Sequence, residues 1–268
     1  MDENKVETEI KDTNTNQNSQ KQIAGAIVLA GLLIAGAILI KDSGATTTPT
    51  AKNPAIREAS INPRPASTEE HFLGTAQAKI TFIEYSDTEC PFCKVFHNTM
   101  QSLVESNKNV AWVYRHYPIP QLHPKAFHEA EATECAWEQG GNDAFWKYID
   151  EVFARTESNN KLEVSELPKI AQDIGLDLTA FNTCLASGKF KDKIEADMKD
   201  GSNAGASGTP YSIILTTKEI TSKKQEELLK VSPKPEYMTF DPKNKNIMGL
   251  NGAMPIELLN QIVEILIK

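Results

Sequence analysis

The fold is decided by residues 82–93, which have the sequence Phe82-Ile83-Glu84-Tyr85-Ser86-Asp87-Thr88-Glu89-Cys90-Pro91-Phe92-Cys93. Residues 79–85 are rich in β-branched and aromatic side chains and predict a strand. Pro91 favours the first turn of a helix, and the apolar pattern predicts a helix from about Pro91 to Asn107. Residues 110–115 predict a second strand. This order is typical of two parallel strands joined by a crossover helix, as in α/β folds.

Cys90 and Cys93 have C-x-x-C spacing at the predicted start of this helix. The spacing puts the second sulfur about one helical turn beyond the first, close enough to form a small disulfide. Unpaired N–H groups and the positive end of the helix dipole favour an anion, so they shift the first thiol toward the thiolate. A thiolate attacks a disulfide through a mixed disulfide that a second cysteine resolves. The pair is therefore predicted to carry redox chemistry.

Two other interpretations of this cysteine pair remain open. It could be half of a zinc site with His97 as a third ligand, or a disulfide that only stabilises the turn. Zinc sites usually need a second ligand pair, and Cys135 and Cys184 do not have zinc-knuckle spacing. Redox chemistry is the favoured interpretation.

Three histidines also invite a metal interpretation. His116, His123 and His128 are separated by seven and five residues, which fits no usual ligand pattern. We therefore predict packing or surface roles for them, no metal centre and no cofactor.

Several predicted helices follow the second strand and form one block, at about residues 123–202. Residues 211–216 predict a strand, and a short strand at about residues 247–250 precedes a last helix that starts at Pro255. Between the two strands lies a polar stretch rich in Lys, Glu and Pro, at about residues 217–244. It is predicted to be a solvated insertion, with a mobile flap near a substrate groove as the alternative.

Composition narrows the class of partner. The 268 residues carry a formal net charge of −8, and 24% of them are charged. Nucleic-acid-binding proteins usually show a basic stripe, which this sequence lacks. We therefore predict no nucleic-acid partner.

The N-terminal part differs sharply from the rest. Residues 23–40 are 18 consecutive residues drawn only from Ile, Ala, Gly, Val and Leu. As a helix they would extend roughly 27 Å, close to the ~30 Å hydrocarbon core of a bilayer. They predict one transmembrane anchor, with a cleaved signal peptide or a buried core helix as the alternatives. Residues 1–22 form a polar tail, residues 41–67 a Thr- and Pro-rich flexible linker, and residues 68–268 the folded domain.

Residues 82–93 resemble the active-site strand and helix of the DsbA-like thiol:disulfide oxidoreductases, which are thioredoxin-fold proteins of the bacterial cell envelope. The resemblance continues at four further motifs, which are His116-Tyr117-Pro118-Ile119-Pro120, His123-Pro124, Gly208-Thr209-Pro210 and Gly252-Ala253-Met254-Pro255. It implies an α/β thioredoxin fold with an inserted helical domain, preceded here by the transmembrane helix. It also implies that Cys90 is the exposed nucleophile and Cys93 the buried resolving thiol.

The resemblance implies further site residues. Glu84 would lie under the disulfide and assist proton transfer to the buried thiol, although an exposed position on an edge strand is the alternative. Pro210 would be a cis-proline that faces the cysteines and receives substrate with the backbone of Thr209, an ordinary trans proline being the alternative. Phe92 is expected to contact substrate, and it stands where DsbA itself carries a positively charged His.

Cys135 and Cys184 fall on two predicted helices of the insert. In some family members, cysteines at matching places form a second disulfide, so the resemblance implies a structural bridge here. Two buried free thiols, or a pair that exchanges with Cys90 and Cys93, are the alternatives. A stable disulfide requires an oxidising compartment, so we expect a single-pass protein of the cell membrane with its C-terminal domain outside the cytoplasm.

These observations predict a membrane-tethered thiol:disulfide oxidoreductase. An oxidase is preferred, because isomerases usually dimerise through an added domain that we do not find in this sequence. A reductase, an isomerase or a non-catalytic binding module of the cell envelope are the alternatives. The expected partners are reduced or misoxidised envelope and secreted proteins, and a membrane redox partner that recycles the active-site pair.

Overall fold

The computed structural model describes residues 56–268, which form an α/β fold around one six-stranded sheet. The strands are β1 (His71–Gly74), β2 (Ile80–Ser86), β3 (Val110–His116), β4 (Tyr211–Thr216), β5 (Met238–Phe240) and β6 (Ile247–Asn251). The helices are α1 (Pro91–Ser106), α2 (Ala126–Arg155), α3 (Glu166–Asp173), α4 (Leu178–Ser187), α5 (Lys191–Asn203), α6 (Ser222–Val231) and α7 (Ile256–Ile267). The predicted α/β class and the strand–helix–strand unit are confirmed.

The sheet has the strand order β1-β3-β2-β4-β6-β5. Strands β2 and β3 are parallel, and every other neighbouring pair is antiparallel. Because β2 lies between β3 and β4, its side chains are buried on both faces of the sheet. The loop after Ser86, and the cysteine pair that follows it, therefore lie at the carboxyl end of the central strand β2.

Three apolar clusters hold the described residues together. The largest packs α1 and α7 against one face of the sheet, with Phe82 and Phe96 fully buried in it. A second fills the helical block around Tyr148 and Phe181. The third covers the opposite face of the sheet and includes Ile61, which precedes the first strand.

The polar stretch at 217–244 is wrongly predicted as a solvated insertion. It forms α6 and β5, and Leu228, Met238 and Phe240 are almost completely buried. The Lys- and Glu-rich composition hides one apolar stripe on α6 that packs on α7. The missed strand β1 is only four residues long, too short for an alternating pattern to reveal.

The ordered fold begins before residue 68, where the sequence predicted a flexible linker to end. Arg57 and Ala59 exchange backbone hydrogen bonds with Phe240 of β5. The Ile61 amide donates to the Asp241 carboxylate, and the Ile61 side chain is 4% exposed. The end of the predicted linker therefore packs along the sheet.

Strand β1 is held from the side by α2. The Asn142 side chain accepts a hydrogen bond from the Phe72 amide and donates one to the Phe72 carbonyl, and the Trp146 indole donates to the same carbonyl. Helix α2 bends at Gly141, where φ is 63°, and this bend separates the two halves of the helix.

Within residues 56–268, no helix has the length and apolar character needed to cross a bilayer. The predicted tail and the predicted anchor at 23–40 lie outside the described residues.

Candidate active site

Cys90 occupies the N-cap position of α1, and Pro91 is the first residue of the helix. The Cys90 amide donates to the Asp87 carbonyl at 3.1 Å, which closes the turn after β2. Cys93 lies one turn into the helix and is fully buried, whereas Cys90 is 5% exposed. Cys90 is therefore less open than the resemblance implied, although it remains the more accessible of the two thiols.

The two thiols differ strongly in acidity. A hydrogen bond from Cys93, together with backbone N–H groups of the helix start, lowers the pKa of Cys90 to about 6 against the opposing effect of burial. Burial, reinforced by the neighbouring Cys90, raises the pKa of Cys93 well above its ordinary value. Near neutral pH, Cys90 is therefore a thiolate and Cys93 a neutral thiol.

Glu84 lies in the central strand and is fully buried, on the same face as Phe82 and beneath α1. The alternative of an exposed edge position is excluded by the sheet order. Burial raises the pKa of Glu84 to about 8. Neither carboxyl oxygen has a hydrogen-bond partner among the described residues. Glu84 is thus a neutral acid at pH 7, and it lies close enough to Cys93 for its charge to raise the pKa of that thiol.

Thr209 and Pro210 lie directly before β4, and the peptide bond between them is cis. The Thr209 carbonyl oxygen accepts from the Cys90 thiol at 3.5 Å. The Pro210 carbonyl accepts a hydrogen bond from the Gly252 amide, which joins this loop to the segment between β6 and α7. The structure therefore brings the Thr209–Pro210 loop and the cysteine pair to one place.

An apolar surface adjoins Cys90. Phe92 and Val95 on the first turn of α1 are 64% and 62% exposed, although most large apolar side chains of the described residues are buried. Exposed apolar patches on a soluble domain commonly mark contact sites. Phe92 is therefore available to a bound partner.

Two acidic residues of the turn before Cys90, Asp87 and Glu89, were not predicted to belong to the site. Asp87 accepts hydrogen bonds from the Ile119 amide and from His123, and its own amide lies 3.5 Å from the Cys93 sulfur. Glu89 is fully buried next to Cys90. Their only sequence signal is a run of four polar residues, 86–89, directly before the first cysteine, and such a run is equally typical of a surface loop and of a functional site.

The three histidines considered for a metal site are held apart. His116 contacts Glu134, His123 contacts Asp87, and His128 contacts Glu131. Among the described residues one other group, formed by His71, His116 and Glu134, has ligand atoms close enough to hold a metal ion.

The charge of this group is already balanced. The Lys193 ammonium lies 2.5 Å from the same Glu134 oxygen that both histidines contact, and 3.1 Å from His71 Nε2. Burial would raise the pKa of Glu134, but its contacts with His71, His116 and Lys193 hold that pKa well below its ordinary range. The cluster is best described as an ion-paired link between the sheet and the helical block.

Cys135 of α2 and Cys184 of α4 are joined by a disulfide, with their Cα atoms 5.8 Å apart. Both belong to the apolar cluster of the helical block, whereas Cys90 and Cys93 belong to the cluster beneath α1. The second pair therefore braces the helical block.

Comparison with known proteins agrees with this geometry. Residues 66–231 match a family model described as thioredoxin. Among solved structures, DsbA2 of Pseudomonas aeruginosa is 26% identical with a TM-score of 0.54, over 75% of this chain and 96% of that one. The α-DsbA1 of Wolbachia pipientis is 20% identical with a TM-score of 0.56, over 75% of this chain and 92% of that one, and shows the fold alone.

Curated relatives by sequence are longer proteins. The Na⁺/H⁺ antiporter NhaA 3 of Salinispora tropica is 34% identical over 141 residues, which is 53% of this chain and 21% of the antiporter. The NhaA 1 of Salinispora arenicola is 33% identical over 141 residues, which is also 53% of this chain and 21% of the antiporter. The chain thus spans about a fifth of the length of these relatives.

Proposed function

The chain belongs to the thioredoxin family and is a DsbA-like protein thiol:disulfide oxidoreductase, and from that premise we propose that Cys90 and Cys93 oxidise client proteins outside the cytoplasm. The observation that carries the proposal is the contrast between an acidic, more accessible Cys90 and a neutral, buried Cys93. Such a contrast is what an ordered exchange through mixed disulfides requires.

In the oxidising direction, a client thiolate attacks Cys90 of the Cys90–Cys93 disulfide. The bond between the two cysteines breaks, and Cys93 leaves with the electron pair. Glu84 can donate the proton that neutralises this buried sulfur, because it is protonated at pH 7. The mixed disulfide now joins the client to Cys90.

A second client thiolate then attacks the client sulfur of the mixed disulfide. Cys90 leaves as a stable thiolate, and the client gains a disulfide. The client has lost two electrons and two protons, and the oxidoreductase has gained both electrons. A membrane redox partner with a disulfide of its own would remove them and restore the Cys90–Cys93 bond.

The acidity of Cys90 supports transfer of the disulfide to the client. A low thiol pKa stabilises the reduced enzyme and makes the thiol a good leaving group, which favours transfer of the disulfide to the client. Phe92 brings no positive charge to the motif. We therefore place the oxidising power below that of a motif with a cationic residue between its cysteines.

The client would lie across the Thr209 backbone and the apolar surface of Phe92 and Val95. The Cys135–Cys184 disulfide supports a location in an oxidising compartment. The apolar run at 23–40 supports attachment to the membrane. No ion transport is proposed, because the antiporter relatives match over only a fifth of their length.

Trapping tests the proposal. In cells producing the full chain with Cys93→Ala, mixed disulfides through Cys90 should accumulate, and a Cys90→Ala/Cys93→Ala control should show none. An absence of adducts in both would favour a non-catalytic binding module. Thiol trapping of the unmodified protein in cells measures the redox state of Cys90 and Cys93, which indicates the net direction of exchange. A mostly oxidised pair is expected of an oxidase, and a mostly reduced pair would instead indicate a reductase or isomerase.

A further inference from the structure

The side chain of Asp87 joins three segments of the chain at the active-site turn. Asp87 directly follows β2 and is 1% exposed. Its Oδ1 accepts a hydrogen bond from the Glu89 amide at 2.9 Å. Its Oδ2 accepts one from the Ile119 amide at 2.8 Å and lies 2.9 Å from His123 Nδ1. The turn before Cys90, the loop after β3 and the approach to α2 therefore meet at this one carboxyl group.

The surroundings of Asp87 select for a carboxylate. A buried carboxyl group is costly unless its oxygens find donors, and an ionised one only accepts hydrogen bonds. Two of its three partners are backbone amides, and His123 becomes the third donor when its Nδ1 carries the proton. Burial raises the pKa of Asp87, while His123 and the Ile119 amide act against that rise. An asparagine of the same volume would turn its N–H₂ group toward one of the two amides.

The backbone of Asp87 contacts both active-site cysteines. Its carbonyl accepts from the Cys90 amide at 3.1 Å, and its amide donates to the Cys93 sulfur at 3.5 Å. Cys93 is fully buried, so a negative charge on its sulfur is shielded from water and is costly unless a donor faces it. The Asp87 amide is such a donor, and the contacts of the Asp87 carboxylate hold it in place.

The hydrogen bond to sulfur gains strength while Cys93 leaves the disulfide. In the proposed function a client thiolate attacks Cys90, the Cys90–Cys93 bond breaks, and Cys93 takes the electron pair. A neutral sulfur is a weak acceptor, whereas a hydrogen bond to an ionised acceptor is roughly twice as strong as a neutral one. The Asp87 amide therefore stabilises the transition state more than the disulfide before it or the thiol after it, and this difference accelerates the step.

We propose that the Asp87 amide stabilises the Cys93 sulfur as it leaves, and that the Asp87 carboxylate and His123 are the positioning groups that hold this amide in place. The proposal rests on the proposed function in requiring exchange at Cys90 and Cys93, but it depends neither on the client nor on the net direction. His123 contacts the Asp87 carboxylate and acts through it.

Reduction of the oxidised full chain by dithiothreitol tests the leaving step without a client. One dithiothreitol thiolate attacks Cys90 and Cys93 leaves; the second thiolate then releases Cys90, so the protein gains two electrons and dithiothreitol becomes a cyclic disulfide. Asp87→Asn keeps the volume but mismatches one amide, and it should slow this reaction about tenfold, less than the ~10²–10³-fold effect of removing such a donor outright. Acid quenching and mass spectrometry of the peptide that contains Cys90 and Cys93 measure the rate.

Variants of His123 test the positioning. His123→Ala removes the donor and should also slow the reduction, whereas His123→Asn can place its Nδ2 where Nδ1 was and should restore most of the rate. His128→Ala is the matched control, because His128 contacts Glu131 instead and its side chain is 41% exposed. It should leave the rate unchanged. If Asp87→Asn fails to fold, this series still decides the question. A His123→Asn protein as slow as His123→Ala would overturn the positioning by His123.

A Cys93→Ala background isolates the effect on the leaving sulfur. There the Cys90 thiolate attacks an aromatic disulfide reagent, dithionitrobenzoate, and releases an aromatic thiolate, so Cys93 takes no part. Asp87→Asn should not slow this reaction. Equal slowing with and without Cys93 would overturn the proposal, because Asp87 would then act on Cys90 or on the turn as a whole. Unchanged reduction of Asp87→Asn by dithiothreitol would also overturn it. Since neither assay contains a client, a failure of client trapping would count against the proposed function alone.

Discussion

The Cys90 thiol lies 3.5 Å from the Thr209 carbonyl oxygen, although 119 residues separate the two in the chain. One belongs to the start of α1 and the other to the loop before β4. Because β2 and β4 are neighbours in the sheet, these two loops meet at one end of it. In the proposed function, a client sulfur that reaches Cys90 would therefore meet the Thr209 backbone carbonyl beside it.

Alkylation should separate the two active-site thiols. In the reduced protein, Cys90 is expected to react with iodoacetamide with a pH midpoint near 6, because hydrogen bonds to its sulfur favour the thiolate. Cys93 should stay unreactive up to about pH 9. Mass spectrometry after timed quenching measures both rates. Equal reactivity of the two thiols at pH 7 would contradict the assigned roles.

The same acidity has a consequence for stability. The pKa of Cys90 is lower in the folded protein than in the unfolded chain, so the ionised thiol contributes stability above the unfolded pKa and loses it as pH falls through about 6. The reduced protein should therefore gain stability from pH 6 to pH 9 relative to Cys90→Ser. Urea unfolding of both proteins across this range measures the difference. A constant difference would show that Cys90 is not acidified.

Glu84→Gln should slow the exchange and stabilise the fold at the same time. Removal of a positioned proton donor typically costs about 10²-fold or more in rate. In the folded protein the Glu84 carboxyl group stays neutral up to about pH 8, whereas in the unfolded chain it ionises above about pH 4.5. The unmodified protein therefore loses stability as pH rises from about 4.5 to 8, and Glu84→Gln does not lose it, because an amide does not titrate. Stopped-flow measurement of the reaction with a dithiol peptide, paired with urea unfolding at pH 7, gives both quantities. A purely structural role would lower activity and stability together.

Phe92→Ala should weaken client binding without weakening the fold. The ring is 64% exposed, so its loss should change the free energy of unfolding by no more than about 0.5 kcal/mol. The KM for an unfolded client should rise severalfold, with kcat nearly unchanged. Val164→Ala is a matched control, since Val164 is 47% exposed and lies in the loop before α3. An equal effect of both substitutions would argue against a client surface at Phe92.

Replacing Cys135 and Cys184 together by Ala should destabilise the protein by about 2–5 kcal/mol, because the bridge closes a loop with a sequence separation of 49. The reaction of Cys90 with a dithiol peptide should persist at a temperature where the variant is folded. Urea unfolding and stopped-flow kinetics check the two statements. Loss of exchange in a folded variant would indicate that the second pair takes part in the chemistry.

The catalytic core of this site was predictable from the sequence because its signals are local. The strand, the proline and the cysteines lie within fourteen residues, 80–93, and Glu84 stands out as an acid in an apolar strand. The family resemblance contributed Thr209, Pro210 and the Cys135–Cys184 pair, since nothing in the local sequence links them to Cys90.

The acidic residues around the cysteines could not be predicted in the same way. Glu89 meets donors 71 to 73 residues away in a loop without a repeating pattern, and Asp87 meets His123 across 36 residues. A periodic pattern marks which face of an element is buried, but it does not mark which loop closes over it. Helix α6 was missed for a different reason, because its short apolar stripe is diluted by Lys and Glu.

The two outer strands of the sheet are both covered, and this bears on how an unfolded client is handled. Arg57 and Ala59 occupy backbone groups of β5, and Asn142 and Trp146 occupy those of β1. An uncovered strand at either side would offer a ladder of hydrogen bonds to any extended chain. A protein whose clients arrive unfolded is exposed to such strand addition and to the aggregates that grow from it. In the proposed function, covering both sides of the sheet in residues 56–268 would direct an extended client toward the Cys90–Thr209 region.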